Sequence, residues 1–134
     1  MIKRLGMIAL ILLVVNIGVL TSQVKAKAKW TWEQEKAKHY PNGVKPYWMP
    51  QIYWAIAACE TPPGRWDHHS GNYQGAFGFA YTTWDRFKLK GYPAEAYQAS
   101  AWQQYVVARA DHDFYGNFSG WGGFTGGGYL SHMN

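Results

Sequence analysis

Residues 50–64 read Pro50-Gln51-Ile52-Tyr53-Trp54-Ala55-Ile56-Ala57-Ala58-Cys59-Glu60-Thr61-Pro62-Pro63-Gly64. Ile52, Ile56 and Cys59 recur at helical spacing, as do Tyr53 and Ala57, which predicts a helix from Gln51 to Glu60 with a broad apolar face. Pro50 suits a first helical position, where its missing N–H costs nothing. The run Thr61-Pro62-Pro63-Gly64 must end the helix. Two prolines cannot continue the hydrogen-bond ladder, and Thr61 is pushed out of the helical region by Pro62. Glu60 therefore stands at the last turn of an apolar helix, against its break.

The flanking segments fit around this helix. Upstream, Thr31 predicts an N-cap for a short helix from Trp32 to about His39, with Gln34 at the capping-box position. Tyr40-Pro41-Asn42-Gly43 stops it. Downstream, Ser70-Gly71-Asn72 reads as a turn with extended arms on either side. Gly75 and Gly78 are places where the backbone bends or passes close to a ligand. Thr82 predicts the start of a helix through about Lys90, with Asp85 at its capping-box position, and Gly91-Tyr92-Pro93 closes it. Ser100 opens the longest helix, with Gln103 completing a capping box, to about Tyr115. Seven of the 13 residues from Gly116 to Gly128 are glycine. Trp121 is expected to pack on the core and the residues after about Phe124 to be mobile.

The chain has 134 residues, 48% hydrophobic and 16% charged, which fits one globular domain and excludes a disordered chain. A single cysteine excludes a disulfide-rich scaffold and a cysteine-based zinc cage. Aromatic residues make up 18%, including eight Trp and ten Tyr, enough to fill a small core and line a binding groove. Lys3 and Arg4, an apolar run over residues 5–20, and small residues at Ala26 and Ala28 give the layout of a secretory signal peptide. A spanning helix needs about 20 apolar residues, so an uncleaved anchor fits less well. Cleavage after Ala28 removes Lys3, Arg4, Lys25 and Lys27 from the 13 basic residues, leaving nine against eight acidic. The basic balance belongs mostly to the leader, and nucleic-acid binding is not expected.

Glu60 is the candidate catalytic residue. A helix C-terminus carries partial negative charge, and the nearby aromatics Trp54, Trp66 and Phe77 would remove water. Both effects favour the protonated carboxyl that a general acid requires. Asp67 is a possible second carboxylate, whereas Asp85 reads as a cap. Cys59 with His68, His69 or His112 would make a Cys/His amidase or peptidase. A thiolate, however, is favoured at a helix N-terminus, and Cys59 lies at the other end beside Glu60. His68 and His69, with Asp67 or His112, lack the spacing of a metal-binding motif, and neither metal nor cofactor is expected. Trp84 and Phe77 read as core, while Trp66 and Tyr73, in the glycine-punctuated loop, suit a sugar-binding groove.

These stretches resemble a known family. Tyr53 to Thr61, Gly64-Arg65-Trp66, Gly71-Asn72-Tyr73-Gln74-Gly75-Ala76-Phe77-Gly78-Phe79 and Thr83-Trp84 are similar in order to the transglycosylase-like domain of resuscitation-promoting factors. Ala99-Ser100, Gln103-Gln104, Val107-Ala108-Arg109 and Gly120-Trp121-Gly122 continue the likeness, which covers about residues 50–124. The resemblance implies a predominantly helical α+β fold of the small lysozyme-like type, with a short hairpin-like loop region between helices. It implies a secreted enzyme acting on the glycan strands of peptidoglycan. Glu60 falls on the family's catalytic glutamate. Trp66, Tyr73, Gly75 and Phe79 fall on its groove-lining positions.

The chain departs from the pattern in three places. Members usually carry a second cysteine near the C-terminus, bonded to the one before the glutamate, where this chain has Gly122-Gly123-Phe124. Many have Gln where Gly78 stands. Thr61-Pro62-Pro63-Gly64 replaces a more glycine-rich turn. The expected organisation is a signal peptide over residues 1–28, an extension with a short helix over 29–49, the transglycosylase-like domain over 50–124 and a flexible glycine-rich tail over 125–134. The expected function is cleavage of the bond between N-acetylmuramic acid and N-acetylglucosamine by a lytic transglycosylase or muramidase. The alternatives are a non-catalytic wall-binding module and, less favoured, the thiol amidase. The expected protein is a monomer in the cell envelope or outside the cell. Its partner is peptidoglycan; it binds no nucleic acid and meets the membrane only through the leader.

Overall fold

A computed structural model of the chain describes residues 31–121. The readings made for the leader and the glycine-rich tail lie outside the described residues. Two units are distinguished, of which the first contributes only residues 31–34 here and the second begins at Glu35. Residues 31–34 form a capped helical turn: Gln34 N–H donates to Thr31 Oγ1 at 3.3 Å and Thr31 N–H to Gln34 Oε1 at 2.9 Å. This is the capping box expected from the sequence.

Four α-helices and a small sheet make up the described residues. They are α1 (Trp32–Ala37), α2 (Gln51–Glu60), α3 (Tyr81–Phe87) and α4 (Ala101–Tyr115), with a 3₁₀ turn at Ala96–Gln98 before α4. Strands β1 (His69–Ser70), β2 (Tyr73–Gln74) and β3 (Phe79–Ala80) form an antiparallel sheet in the order β1-β2-β3. The architecture is α+β and mostly helical, as expected. Among the described residues no helix is long and apolar enough to cross a membrane.

The turn at Ser70-Gly71-Asn72 joins β1 and β2, with Ser70 opposite Tyr73 and His69 opposite Gln74. The third strand was not anticipated. It pairs Tyr73 with Ala80 and Gln74 with Phe79, after a turn through Gly75 and Gly78. Side chains alternate along β2, so Gln74 is fully buried and Tyr73 points outward. The chain runs from β3 directly into α3, which corrects the expected start at Thr82. The helix begins at Tyr81 from an extended Ala80, without a side-chain cap, and stops at Phe87. Asp85 is not a cap; its carboxylate accepts from Lys88 Nζ at 2.7 Å. The longest helix follows its local signals. Ser100 Oγ accepts from Gln103 N–H, Gln103 Oε1 from Ser100 N–H, and the helix ends at Gly116 in the left-handed conformation.

The core gathers Ile56, Trp66, Phe77, Phe79, Trp84, Tyr105 and Trp121 between α2, the sheet and α4. Trp121 packs there as expected, its indole N–H donating to Phe77 O at 2.8 Å. Gln104 ties these elements together from inside. Its Oε1 accepts from Ala76 N–H at 2.8 Å, and its Nε2 lies 2.9–3.1 Å from the carbonyls of Trp66, Ala96 and Ala99. A buried amide with all its partners present fixes one arrangement of loop and helix.

The segment before α2 packs on the same core. Glu35, only 2% exposed, accepts from the Tyr40 hydroxyl and from Trp48 Nε1. The Trp48 ring meets Trp102 at 5.1 Å and Tyr105 at 5.7 Å between centroids. Ser100 Oγ also donates to Lys36 O.

Candidate active site

The break after α2 is built around Thr61. Its hydroxyl donates toward Ala57 O and Ala76 O and accepts from Arg65 N–H at 2.9 Å, all while buried. One side chain thus pins the helix end to the sheet loop and to the Pro62-Pro63 turn. Glu60 is held just before this staple, partly buried, with its carboxyl in a cavity of about 210 Å³. Thr61, His68, Ser70, Tyr73 and Gly78 line the rest of it.

Gly78 forms the wall nearest the carboxyl. Its φ of +61° is a backbone conformation that side chains resist, and a Cβ there would lie 3.4 Å from Glu60 Oε2. Glycine at this position lets the loop approach the carboxyl while leaving the cavity open. Burial pushes the Glu60 carboxyl above its usual range toward the protonated form, and no hydrogen bond or ion pair from the described residues opposes it.

A second cavity of about 210 Å³ adjoins the first, sharing Tyr73 and Gly78 with it. Phe79, Ala80, Thr83, Asp111, Tyr115, Gly120 and Trp121 complete its lining. The two form one open trough with Tyr73 at the junction, the residue 59% exposed while lining both. An open, two-part trough of this kind suits a polymer lying across the surface, whereas small-molecule pockets bury most of their ligand.

The sequence-derived site residues divide into two groups. Glu60, Tyr73 and Phe79 line the trough. Trp66 does not: it is 4% exposed, packs on Trp54 and Phe77, and borders a separate cavity with His39, Tyr40 and Tyr97. Gly75 also lies outside the trough. Its φ is +72° and its Cα faces Gln104, with room for no Cβ: one would stand 2.6 Å from Gln104 Oε1. Both serve the loop that carries Tyr73.

The remaining candidates disperse. Burial, and after it the neighbouring Glu60, push the Cys59 thiol above its usual range, the opposite of what a nucleophile needs. Cys59 is a free thiol. His69 stacks on Tyr97 and reaches the Tyr81 hydroxyl at 3.1 Å, while His112 packs against Phe118. Asp67 accepts from Asn42 Nδ2 at 2.8 Å and is exposed. Among the described residues no three His, Cys, Asp or Glu side chains gather as a metal site. Other trough residues were not read as site residues. Gly78 was read as a bend or a close approach to a ligand and as a departure from the family's glutamine, His68 as a possible ligand or base, and Asp111 not at all. Asp111 did leave a signal, since it continues the buried stripe of Gln104, Val107 and Ala108 where an apolar residue belongs.

No curated protein and no solved structure matches the chain at a significant level. The family model described as "Transglycosylase-like domain" matches residues 50–123, a segment that spans α2, the sheet, α3 and α4 and contains every described residue lining the trough. The chain belongs to the transglycosylase-like domain family.

Proposed function

We propose that the protein cleaves the glycan strand of peptidoglycan between N-acetylmuramic acid and N-acetylglucosamine, outside the cell or in its envelope, within a small lysozyme-like domain. Family membership supports a transglycosylase-type activity in general, and the placement of Glu60 carries the specific reading. A carboxyl desolvated toward its protonated form, without a competing partner, opens on a trough with an exposed tyrosine ring at its middle.

In the first step the Glu60 carboxyl gives its proton to the glycosidic oxygen. The bond from that oxygen to the muramoyl anomeric carbon breaks and leaves an oxocarbenium-like centre. Glu60, now a carboxylate, then removes a proton from the oxygen that attacks this centre. If that oxygen is the muramoyl 6-hydroxyl, the product is a 1,6-anhydro end; if it is water, the product is a reducing end. Among the described residues Glu60 is the one carboxyl lining its own cavity, with Asp111 in the adjoining one, which suits the intramolecular route, since that route uses one acid/base group and no carboxylate nucleophile. Tyr73 supplies the exposed ring on which a sugar lies, Phe79 is buried in the core beneath the trough, and Trp66 and Gly75 hold the loop that carries Tyr73.

The test is mass spectrometry of the material released from purified peptidoglycan by the wild type and by Glu60→Gln. Anhydro-muropeptides from the wild type and none from the folded variant are expected. Release at the wild-type rate by Glu60→Gln would refute the assignment, and reducing-end products from the wild type would replace transglycosylation by hydrolysis.

A further inference from the structure

Asp111 has no structural reason to be an aspartate. It lies inside α4, three residues past Ala108 on the face that packs into the core, and is 6% exposed. A mid-helix position gives it no cap to make. Arg86 and His112 lie near enough to favour its charge, but neither pairs with it: His112 faces Asp113 at 3.2 Å, and Arg109 pairs with Asp113 at 3.8 Å. Arg86 gives a hydrogen bond to the Tyr115 hydroxyl at 3.2 Å and lies over the Phe114 ring. No hydrogen bond or ion pair from the described residues reaches the Asp111 carboxyl. The residue is buried as a whole, but its carboxyl opens on the trough, at a position of the helix stripe where a leucine would extend the core.

The carboxyl borders the half of the trough beyond Tyr73, in a lining shared with Thr83 and Tyr115, and a Cβ added at Gly120 would stand 3.4 Å from its Oδ2. An acceptor deep in a cleft walled by aromatic rings is what a sugar unit requires. The rings take its apolar face and the acceptor takes an O–H or N–H from its edge.

Building on the glycan-cleaving function proposed above, we infer that Asp111 is a sugar-recognition residue. Its carboxyl accepts a hydrogen bond from a hydroxyl or acetamido N–H of the unit next to the one on which Glu60 acts. The carboxyl faces the trough with no protein hydrogen bond to give up, so its acceptor positions are open to the substrate. Such a residue acts in binding rather than in the chemical step, so its loss raises KM and leaves kcat nearly unchanged.

The experiment uses the full chain carrying Glu60→Gln, which prevents turnover, and the N-acetylglucosamine tetramer, which carries no peptide. Calorimetric titration is expected to show about tenfold weaker tetramer binding when Asp111→Asn is added, with no loss of melting temperature. In the Glu60→Gln protein itself, the Asp111 carboxyl ¹³C resonance is expected to move on saturation with tetramer, a readout that needs no change at position 111. Unchanged affinity with an unmoved resonance overturns the inference. So does a defect confined to intact sacculi, which would assign the carboxyl to the stem peptide. A Glu60→Gln protein that holds sacculi but not the tetramer also overturns it. These results are separable from failure of the proposed function, which is read from whether Glu60→Gln still releases muropeptides.

Discussion

Gly75 and Gly78 stand three residues apart, both with positive φ, in the loop between β2 and β3. The same substitution, Gly→Ala, should have very different effects at the two. Each alanine carries the cost of a left-handed backbone, roughly 1–2 kcal/mol. At Gly78 nothing more is added to stability, because the new methyl would sit 3.4 Å from Glu60 Oε2, an ordinary contact. At Gly75 the methyl would stand 2.6 Å from Gln104 Oε1 and 3.2 Å from Ala96 Cβ. Gln104 must then move, releasing Ala76 N–H and the carbonyls of Trp66, Ala96 and Ala99. Stranding one or two such buried groups costs about 1–3 kcal/mol each. With ~4–8 °C per kcal/mol for a domain of this size, Gly75→Ala should melt at least about 4 °C below Gly78→Ala. Gly78→Ala should instead lose activity on a cell-wall zymogram while still folded, because its methyl enters the Glu60 cavity. Circular dichroism melts of the two variants decide the matter. Equal melting temperatures, or Gly78→Ala as the less stable, would refute the assignment of Gly75 to support and Gly78 to the site.

Glu60→Gln should also change the pH dependence of stability. Because burial raises the carboxyl in the folded state, the folded protein holds this proton more tightly than the unfolded chain. Wild-type stability therefore falls as pH rises from the usual value of 4.5 through the raised folded value, and the loss is complete above it. The glutamine variant lacks this loss, so it should melt higher than the wild type at pH 8 and level with it at pH 4. An equal gap at both values would sink the argument. Cys59→Ala should leave the release of muropeptides within about twofold of wild type, and iodoacetamide should have no effect on it; inactivation by the reagent would revive a thiol mechanism.

The elements with local signals were legible in the sequence. Ser100 and Gln103 satisfy each other across one helical turn, and Thr61-Pro62-Pro63 forbids helix by sterics, so neither outcome depends on the rest of the chain. The two residues of β3 have no such signal. Phe79 and Ala80 are a strand because Gln74 and Tyr73 lie alongside, a contact that only the folded loop creates. The start of α3 was misplaced for the same reason: Thr82 and Asp85 make a plausible cap, but the strand carries the chain into the helix two residues sooner than a cap at Thr82 allows. At the site, Glu60 could be read because a helix end is a local event. Trp66 could not, since whether an indole faces a groove or the core is settled by what packs over it, here Trp54 and Phe77. Asp111 is the reverse case, a polar residue written into an apolar stripe, where the mismatch with the pattern was itself the signal.

The seam between Lys36 and Ser100 bears on where this protein can be cut. The hydroxyl that caps α4 also donates to a carbonyl of α1, and the indole of Trp48 shields Trp102 and Tyr105. Trimming the polypeptide to the family segment at residue 50 would strip that cover, bare two aromatic rings and leave the cap with half its work. The family segment and the packed unit thus have different borders in this chain, since the unit already includes Glu35 and Lys36.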